Sequence, residues 1–215
     1  MGAKTVTLNR EWLIDNQMLT LPDGTQRLLP EVPALQVSNL GAAIVAAVAL
    51  NCAPSQDCIN QALQTLIVPG RQQQLTALGR VWWLDVAHNR ESVGRLAIAL
   101  ALQSDGVETH AIFGAMADKP LRAMIEGMAD RVSSWHLPTH EGVVRAAAPE
   151  DLAELIKTIS PKATVQCYPT PEMAFTGIEN ASKPGDRILV FGSFVTVGAQ
   201  LACLQQVPTG QETFD

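Results

Sequence analysis

Asp85, His88 and Asn89 close the apolar run Val81-Trp82-Trp83-Leu84. A carboxylate, an imidazole and a carboxamide offer an acceptor, a titratable group and a combined donor and acceptor, a set suited to polar and anionic ligands. The run reads as a buried strand, and its end delivers these polar groups to a sheet edge, where α/β proteins do chemistry. Burying Asp85 is unfavourable unless it meets a hydroxyl, an amide or a cation; an Asp capping the following turn is the ordinary alternative. His88 and Asn89 fall in the loop that opens a helix near Glu91, beside a partially positive helix end that favours a carboxylate or phosphate. A lone His is more often structural or merely solvated, and the surrounding Asp-x-Ala-His-Asn context favours a functional role for this one.

Four further places carry candidate chemistry. Arg71 follows Pro69-Gly70; its permanent charge and forked donors suit phosphate oxygens, although a linker Arg is usually a solvated surface residue. Asn39 opens an Ala-rich helix, where it either caps the helix or offers its amide to a ligand as both donor and acceptor. Gly114-Ala115-Met116-Ala117-Asp118-Lys119 follows a second apolar run, with Asp118 and Lys119 able to lock the loop on themselves. Val190-Phe191-Gly192-Ser193-Phe194 ends the last run, and Ser193 offers a hydroxyl to a substrate or a cap to the helix behind it.

Taken together, Pro-Gly-Arg at 69–71, Asp-x-Ala-His-Asn at 85–89, Gly-x-x-x-Asp-Lys at 114–119 and the Gly192-Ser193 strand end resemble one family, the folylpolyglutamate synthase/dihydrofolate synthase branch of the Mur ligase superfamily. The resemblance runs from about residue 12 to 204 and matches the second half of such enzymes. It implies an ATP-dependent ligase in which ATP phosphorylates a pterin substrate's carboxylate and the amine of L-glutamate attacks the acyl phosphate. It also implies that Asn39, Arg71 and Asp85 contact ATP, and that His88 serves the reacting phosphate or the glutamate, with Asn89 and Ser193 contributing to the glutamate pocket. The substrate would be dihydropteroate or a tetrahydrofolate. One residue departs from the pattern, since the family commonly has Pro after the Asn and this chain has Arg90.

The family's phosphate loop, Gly-x-x-x-x-Gly-Lys-[Ser/Thr], has no match here. The chain is therefore expected to be a carboxyl-terminal fragment, inactive alone, with the Mg²⁺ ligands and most of the pterin site in a missing half and no metal ligands of its own. Residues 1–68 would be the remnant of a central ATPase domain, 69–79 an interdomain linker able to act as a hinge, 80–207 the carboxyl-terminal domain and 208–215 a flexible tail. Because the remnant's sheet would be truncated, Leu8, Trp12 and Ile44 are expected to be exposed or covered by a second copy.

The elements that must position these residues are legible from periodicity. Residues 4–30 alternate loosely around an Asp23-Gly24 turn and predict short antiparallel strands. Helices follow, one from Ser38 or Asn39 to about Asn51 and one capped by Ser55 and running to Leu66. Beyond Arg80 the pattern becomes strand, loop, helix: strands over 81–86, 109–113, 132–137, 163–168 and 187–191, with helices near 91–102, 120–130, 149–159, 171–181 and 196–206. The implied class is α/β, a mostly parallel, Rossmann-like sheet sandwiched by helices.

At 215 residues and 47% hydrophobic content the chain can bury a sizeable core. A net charge of −6 and a pI near 5.2 argue against nucleic-acid binding, and the longest apolar run, 41–50, is too short to span a membrane. No signal peptide is visible, so a cytoplasmic location is expected. Cys52, Cys58, Cys167 and Cys203 show no metal or disulfide spacing and read as reduced core thiols. His136 and His140 have a zinc-like spacing, but Pro138 between them breaks any helix that would stack them. Two rival functions stand beside the ligase: a stand-alone nucleotide-binding module, weakened by the missing G-x-G-x-x-G, and a non-catalytic interaction domain.

Overall fold

The computed structural model describes residues 5–32, 35–103 and 106–207, so the expected tail at 208–215 lies outside the described residues. The chain divides into two units, Met1–Arg71 and Gln72–Asp215.

The amino-terminal unit carries an antiparallel meander of β1 (Leu13–Asp15), β2 (Met18–Thr20) and β3 (Gln26–Leu28). Asn16 and Gln17 join the first two strands with positive φ at both positions, the twist that a two-residue hairpin turn demands. At the second turn Asp23 Oδ1 accepts the Thr25 N–H at 2.9 Å and Gly24 takes φ +83°, so Asp-Gly acts as its chemistry predicts. Helices α1 (Val37–Ala49) and α2 (Gln56–Gln64) follow. Ser55 caps α2, its side chain accepting the Cys58 N–H. The expected cap of α1 is corrected: Gln36 holds that position, and Asn39 already donates its N–H to the Gln36 carbonyl, so the chain is helical before Ser38.

A second expectation is also corrected. Trp12 and Ile44 are 6% and 4% exposed, packed with Leu19, Leu21, Leu29, Leu40, Val45 and Ile59 in a small core, and Leu8 is half-buried against it. The meander and the two helices each present one apolar face, which suffices to enclose these side chains. The exposed apolar residues of this unit are others, among them Leu13, Leu28, Leu50 and Ile67.

The carboxyl-terminal unit holds a six-stranded sheet in the order β4-β5-β9-β6-β7-β8. Its strands are β4 (Gln73–Ala77), β5 (Arg80–Asp85), β6 (Thr109–Phe113), β7 (Ser134–Pro138), β8 (Thr164–Tyr168) and β9 (Arg187–Phe191). The last five are parallel and correspond to the five predicted strands; β4 pairs antiparallel with β5 and occupies residues assigned from sequence to the linker. Gln73-Gln74-Leu75-Thr76 carries little apolar signal because β4 is an edge strand whose ladder partner lies on one side only.

Side-chain alternation divides the sheet between two apolar clusters. Trp83, Phe113, Trp135, Leu189 and Phe191 pack under α3 (Arg90–Leu102), α4 (Leu121–Glu126) and α5 (Pro149–Ile159). Trp82, Leu84, Ile112, Ile188 and Val190 pack under α6 (Pro171–Ala181) and α7 (Phe194–Gln205). Helices on both faces explain why the parallel strands read as continuous apolar runs. Truncating a buried Trp such as Trp83 costs about 3–5 kcal/mol. Helix α4 is shorter than its periodicity predicts, since Pro120 stands outside it as the cap and Gly127 closes it. No helix among the described residues is long and apolar enough to cross a membrane.

The four cysteines are free thiols, as expected, but they are not core residues. Cys52, Cys58 and Cys167 are exposed and Cys203 is partly so. Cys167 lies on the outer strand β8 and Cys58 on a largely exposed face of α2, so the apolar patterns around them do not bury them.

Candidate active site

Three adjoining strands end level with one another. Asp85 of β5 and Phe113 of β6 are both in register with Phe191 of β9, so the loops beginning at Val86, Gly114 and Gly192 leave the sheet side by side. This is the carboxyl edge, with the N-termini of α3 and α7 just beyond it. Among the sequence-predicted residues of this unit, Asp85, His88, Asn89 and Ser193 are brought to this one edge. Asn39 and Arg71 belong to the amino-terminal unit: Asn39 is exposed on the first turn of α1, and Arg71 is partly buried beside Pro69-Gly70.

Asp85 is buried and bonded to the backbone through both oxygens. Oδ1 accepts the Ala87 N–H at 2.8 Å and Oδ2 accepts the Gln72 N–H at 3.0 Å. The first bond is a side-chain turn of the kind Asp forms two residues ahead, and the second ties the start of β4 to the end of β5. His88 Nδ1 lies 2.9 Å from the Val86 carbonyl. A carbonyl only accepts, so Nδ1 carries the hydrogen and a neutral His88 keeps its lone pair on Nε2.

Asn89 caps α3: its Oδ1 accepts the Ser92 N–H at 2.9 Å, while Ser92 Oγ accepts the N–H groups of Asn89 and His88 at 3.2 and 3.1 Å. This reciprocal capping box leaves the Asn89 amide nitrogen as the group for any ligand. Arg90 begins the helix and is exposed.

Ser193 caps α7, its Oγ accepting the Thr196 N–H at 3.1 Å. Thr196 donates its hydroxyl to the Gly114 carbonyl at 2.8 Å, so Thr196 Oγ1 is an acceptor toward Ser193 at 2.9 Å and His140 Nε2 at 2.8 Å. His140 follows β7, and burial pushes its imidazole pKa down, consistent with a neutral ring that donates from Nε2. Gly192 takes φ +113°, where an added Cβ would meet the Gly114 oxygen at 2.6 Å. The loops after β6, β7 and β9 are thus knit by His140, Thr196 and Ser193.

Sequence reasoning placed neither His140 nor Thr196 in the site. The rule that found His88, a polar residue just past a strand end, applies equally to His140. His136 and His140 have a zinc-like spacing but do not share a ligand site: His136 bonds to Ser134 and Tyr168, His140 to Thr196. In the 114–119 loop Asp118 pairs with Arg145 at 2.8 Å and with Lys119 at 3.5 Å. The Arg145 hydrogen bond lowers the Asp118 pKa.

The edge offers a carboxylate and an imidazole as acceptors for hydroxyl groups, and two helix N-termini that suit an anion. It does not fit a resident Mg²⁺ ion. Such an ion needs several oxygen ligands, and among the described residues Asp85 is the one carboxylate at the ends of these three strands.

A family described as "Mur ligase, glutamate ligase domain" matches residues 70–194. The dihydrofolate synthase/folylpolyglutamate synthase of Escherichia coli (strain K12) is 27% identical over 174 residues, covering 81% of this chain and 39% of that protein. Among solved structures, the bifunctional folylpolyglutamate synthase/dihydrofolate synthase of Yersinia pestis CO92 is 26% identical with a TM-score of 0.69, covering 95% of this chain and 48% of that one. A bifunctional folylpolyglutamate synthase/dihydrofolate synthase with Mn, AMPPNP and L-glutamate bound gives 26% identity and a TM-score of 0.68 over 92% of this chain and 47% of that one. The chain spans about half the length of these structures.

Proposed function

Because the chain belongs to the Mur ligase family through its glutamate ligase domain, we propose that it is the carboxyl-terminal part of an ATP-dependent folate:L-glutamate ligase. ATP transfers its γ-phosphoryl group to the carboxylate of dihydropteroate or a tetrahydrofolate, releasing ADP. The amine of L-glutamate then attacks the acyl phosphate, forming the amide and expelling inorganic phosphate. The observation that carries this reading is the level ending of β5, β9 and β6, which sets the Asp-x-Ala-His-Asn loop beside the Ser193 turn at one sheet edge.

In this reading Asp85 holds the 85–89 loop in shape and accepts from the nucleotide's hydroxyl groups. Asn39 and Arg71 keep the nucleotide contacts that the resemblance implies. With Nδ1 turned to the Val86 carbonyl, His88 as an imidazolium, protonated on Nε2, steadies negative charge on the reacting phosphate or the glutamate. Asn89 contributes its amide nitrogen, and Ser193 and the α7 N-terminus receive a glutamate carboxylate. Mg²⁺ would neutralise the triphosphate charge, and its ligands belong outside this chain.

The test is release of ADP by the protein that contains this chain, measured with pterin substrate and L-glutamate supplied together and separately. Turnover that requires both supports the ligase, whereas the isolated chain should bind ATP weakly and turn over none. Tight Mg²⁺-ATP binding by the isolated chain, seen by calorimetry, would favour a stand-alone nucleotide module instead.

A further inference from the structure

The opposite edge of the same sheet carries a second group of polar residues. Glu108 precedes β6, His110 lies on β6 and Asp186 precedes β9, and one ligand atom from each lies within 4.8 Å of the other two. His110 and Asp186 are each 4% exposed, while Glu108 is open to solvent. We propose that Glu108, His110 and Asp186 bind one divalent transition-metal ion of the zinc class, with solvent at the remaining position, as a clamp across the amino ends of β6 and β9.

Geometry is the first support. His110 Nε2 and Asp186 Oδ2 stand 3.2 Å apart. Two ligands bonded at about 2.0 Å in a tetrahedral site lie roughly 3.3 Å from each other, so both atoms can face one ion with little adjustment. Glu108 completes the set from solvent, where its side chain is free to close on an arriving ion. Chemistry is the second support, since one imidazole with two carboxylates matches zinc's nitrogen and oxygen ligands, and the two negative charges balance the ion. Asp186 Oδ2 also accepts the Lys183 N–H at 2.8 Å, which fixes the carboxylate beside His110.

The third support lies behind His110. Its Nδ1 is 2.7 Å from Ser134 Oγ, Ser134 Oγ is 3.1 Å from His136 Nε2, and His136 Nδ1 is 2.8 Å from Tyr168 Oη. With a neutral His110 that donates from Nε2 to Asp186, the hydrogens run one way: Tyr168 to His136, His136 to Ser134 and Ser134 to His110. An ion on Nε2 requires the hydrogen on Nδ1, and the chain accommodates this by reversing. His110 then donates to Ser134, Ser134 to His136, and His136 to Tyr168. Every inner member both donates and accepts in either direction, so neither state strands a buried polar group before Tyr168. Such a partner on the far ring nitrogen is what orients a metal-binding His.

Titration of chelator-treated, tag-free chain with ZnCl₂ tests the site. Its exposed thiols are alkylated beforehand, because Cys52, Cys58 and Cys167 would otherwise compete. One equivalent should bind and raise the thermal midpoint, and CoCl₂ in its place should give the visible absorption of a four-coordinate ion. Glu108→Gln, which alters an exposed side chain and leaves the buried network intact, should weaken affinity by about tenfold or more, and Asp186→Asn likewise. Absence of binding at submillimolar ZnCl₂, or wild-type affinity in Glu108→Gln, would overturn the proposal and leave the His110–Asp186 contact as a hydrogen bond alone.

Discussion

Thr196 donates its hydroxyl hydrogen to the Gly114 carbonyl oxygen at 2.8 Å, joining the first turn of α7 to the loop that follows β6. The approach depends on the missing side chain at Gly114. A Cβ there would stand 2.6 Å from Thr196 Oγ1 and 2.8 Å from His140 Nε2. Gly114→Ala should therefore push the two segments apart and destabilise the carboxyl-terminal unit by about 1–3 kcal/mol. Urea denaturation followed by tryptophan fluorescence reads the change, and an unaltered midpoint would show that the knot of Gly114, His140 and Thr196 yields without strain.

Acid should weaken the same unit through His136. Burial, with a smaller contribution from the neighbouring His110, lowers its pKa from 6.5 to about 4. The unfolded chain then binds a proton that the folded chain refuses, so stability is full above about pH 6.5 and falls as the pH drops toward 4. The loss over this window is on the order of 3 kcal/mol. Urea midpoints at several pH values should show it, and His136→Gln should flatten the slope. An equal slope in wild type and variant would assign the acid sensitivity to other groups.

The strands of the sheet were legible where burial on both faces writes an unbroken apolar run, as in Trp82-Trp83-Leu84 and Ile188-Leu189-Val190. Gln73–Ala77 was not, because an edge strand half open to water keeps a polar sequence. Trp12 and Ile44 look like remnants of a larger core when only spacing is known, and the local closure of the meander over two helices is a tertiary fact. The site divides in the same way. Asp85 ends a recognisable strand, and His88, Asn89 and Ser193 follow such strands within a few residues, so their placement follows from local pattern. The bonds of Thr196 to His140 and Gly114 span 56 and 82 residues, and no local pattern encodes them.

Asn89 offers a way to separate support from recognition. Asn89→Ala removes the acceptor for the Ser92 N–H and should cost about 1 kcal/mol in unfolding free energy. Asn89→Asp keeps that acceptor, gains from the helix dipole and should match or exceed wild-type stability. In the ligase the Asp variant should nonetheless raise the glutamate KM, because it sets a negative charge where an anion is to bind. Wild-type KM in Asn89→Asp would confine the residue to capping.

The division of labour along the 85–89 loop can be read from kinetics in the intact ligase. Asp85→Ala removes an acceptor proposed to face the nucleotide and also releases the Gln72 and Ala87 N–H groups, so ATP use should suffer first, together with some stability. Arg71→Ala should likewise raise the ATP KM, with little effect on glutamate. His88→Ala keeps the helix cap, which rests on Asn89 and Ser92, and should chiefly lower kcat or impair glutamate use, on the order of tenfold or more if its imidazole meets the reacting charge. Varying ATP and glutamate separately distinguishes these outcomes. If all three variants stayed folded with wild-type constants for both substrates, the Asp-x-Ala-His-Asn loop would be structural in this protein, and the ligase roles proposed for its residues would have to be abandoned.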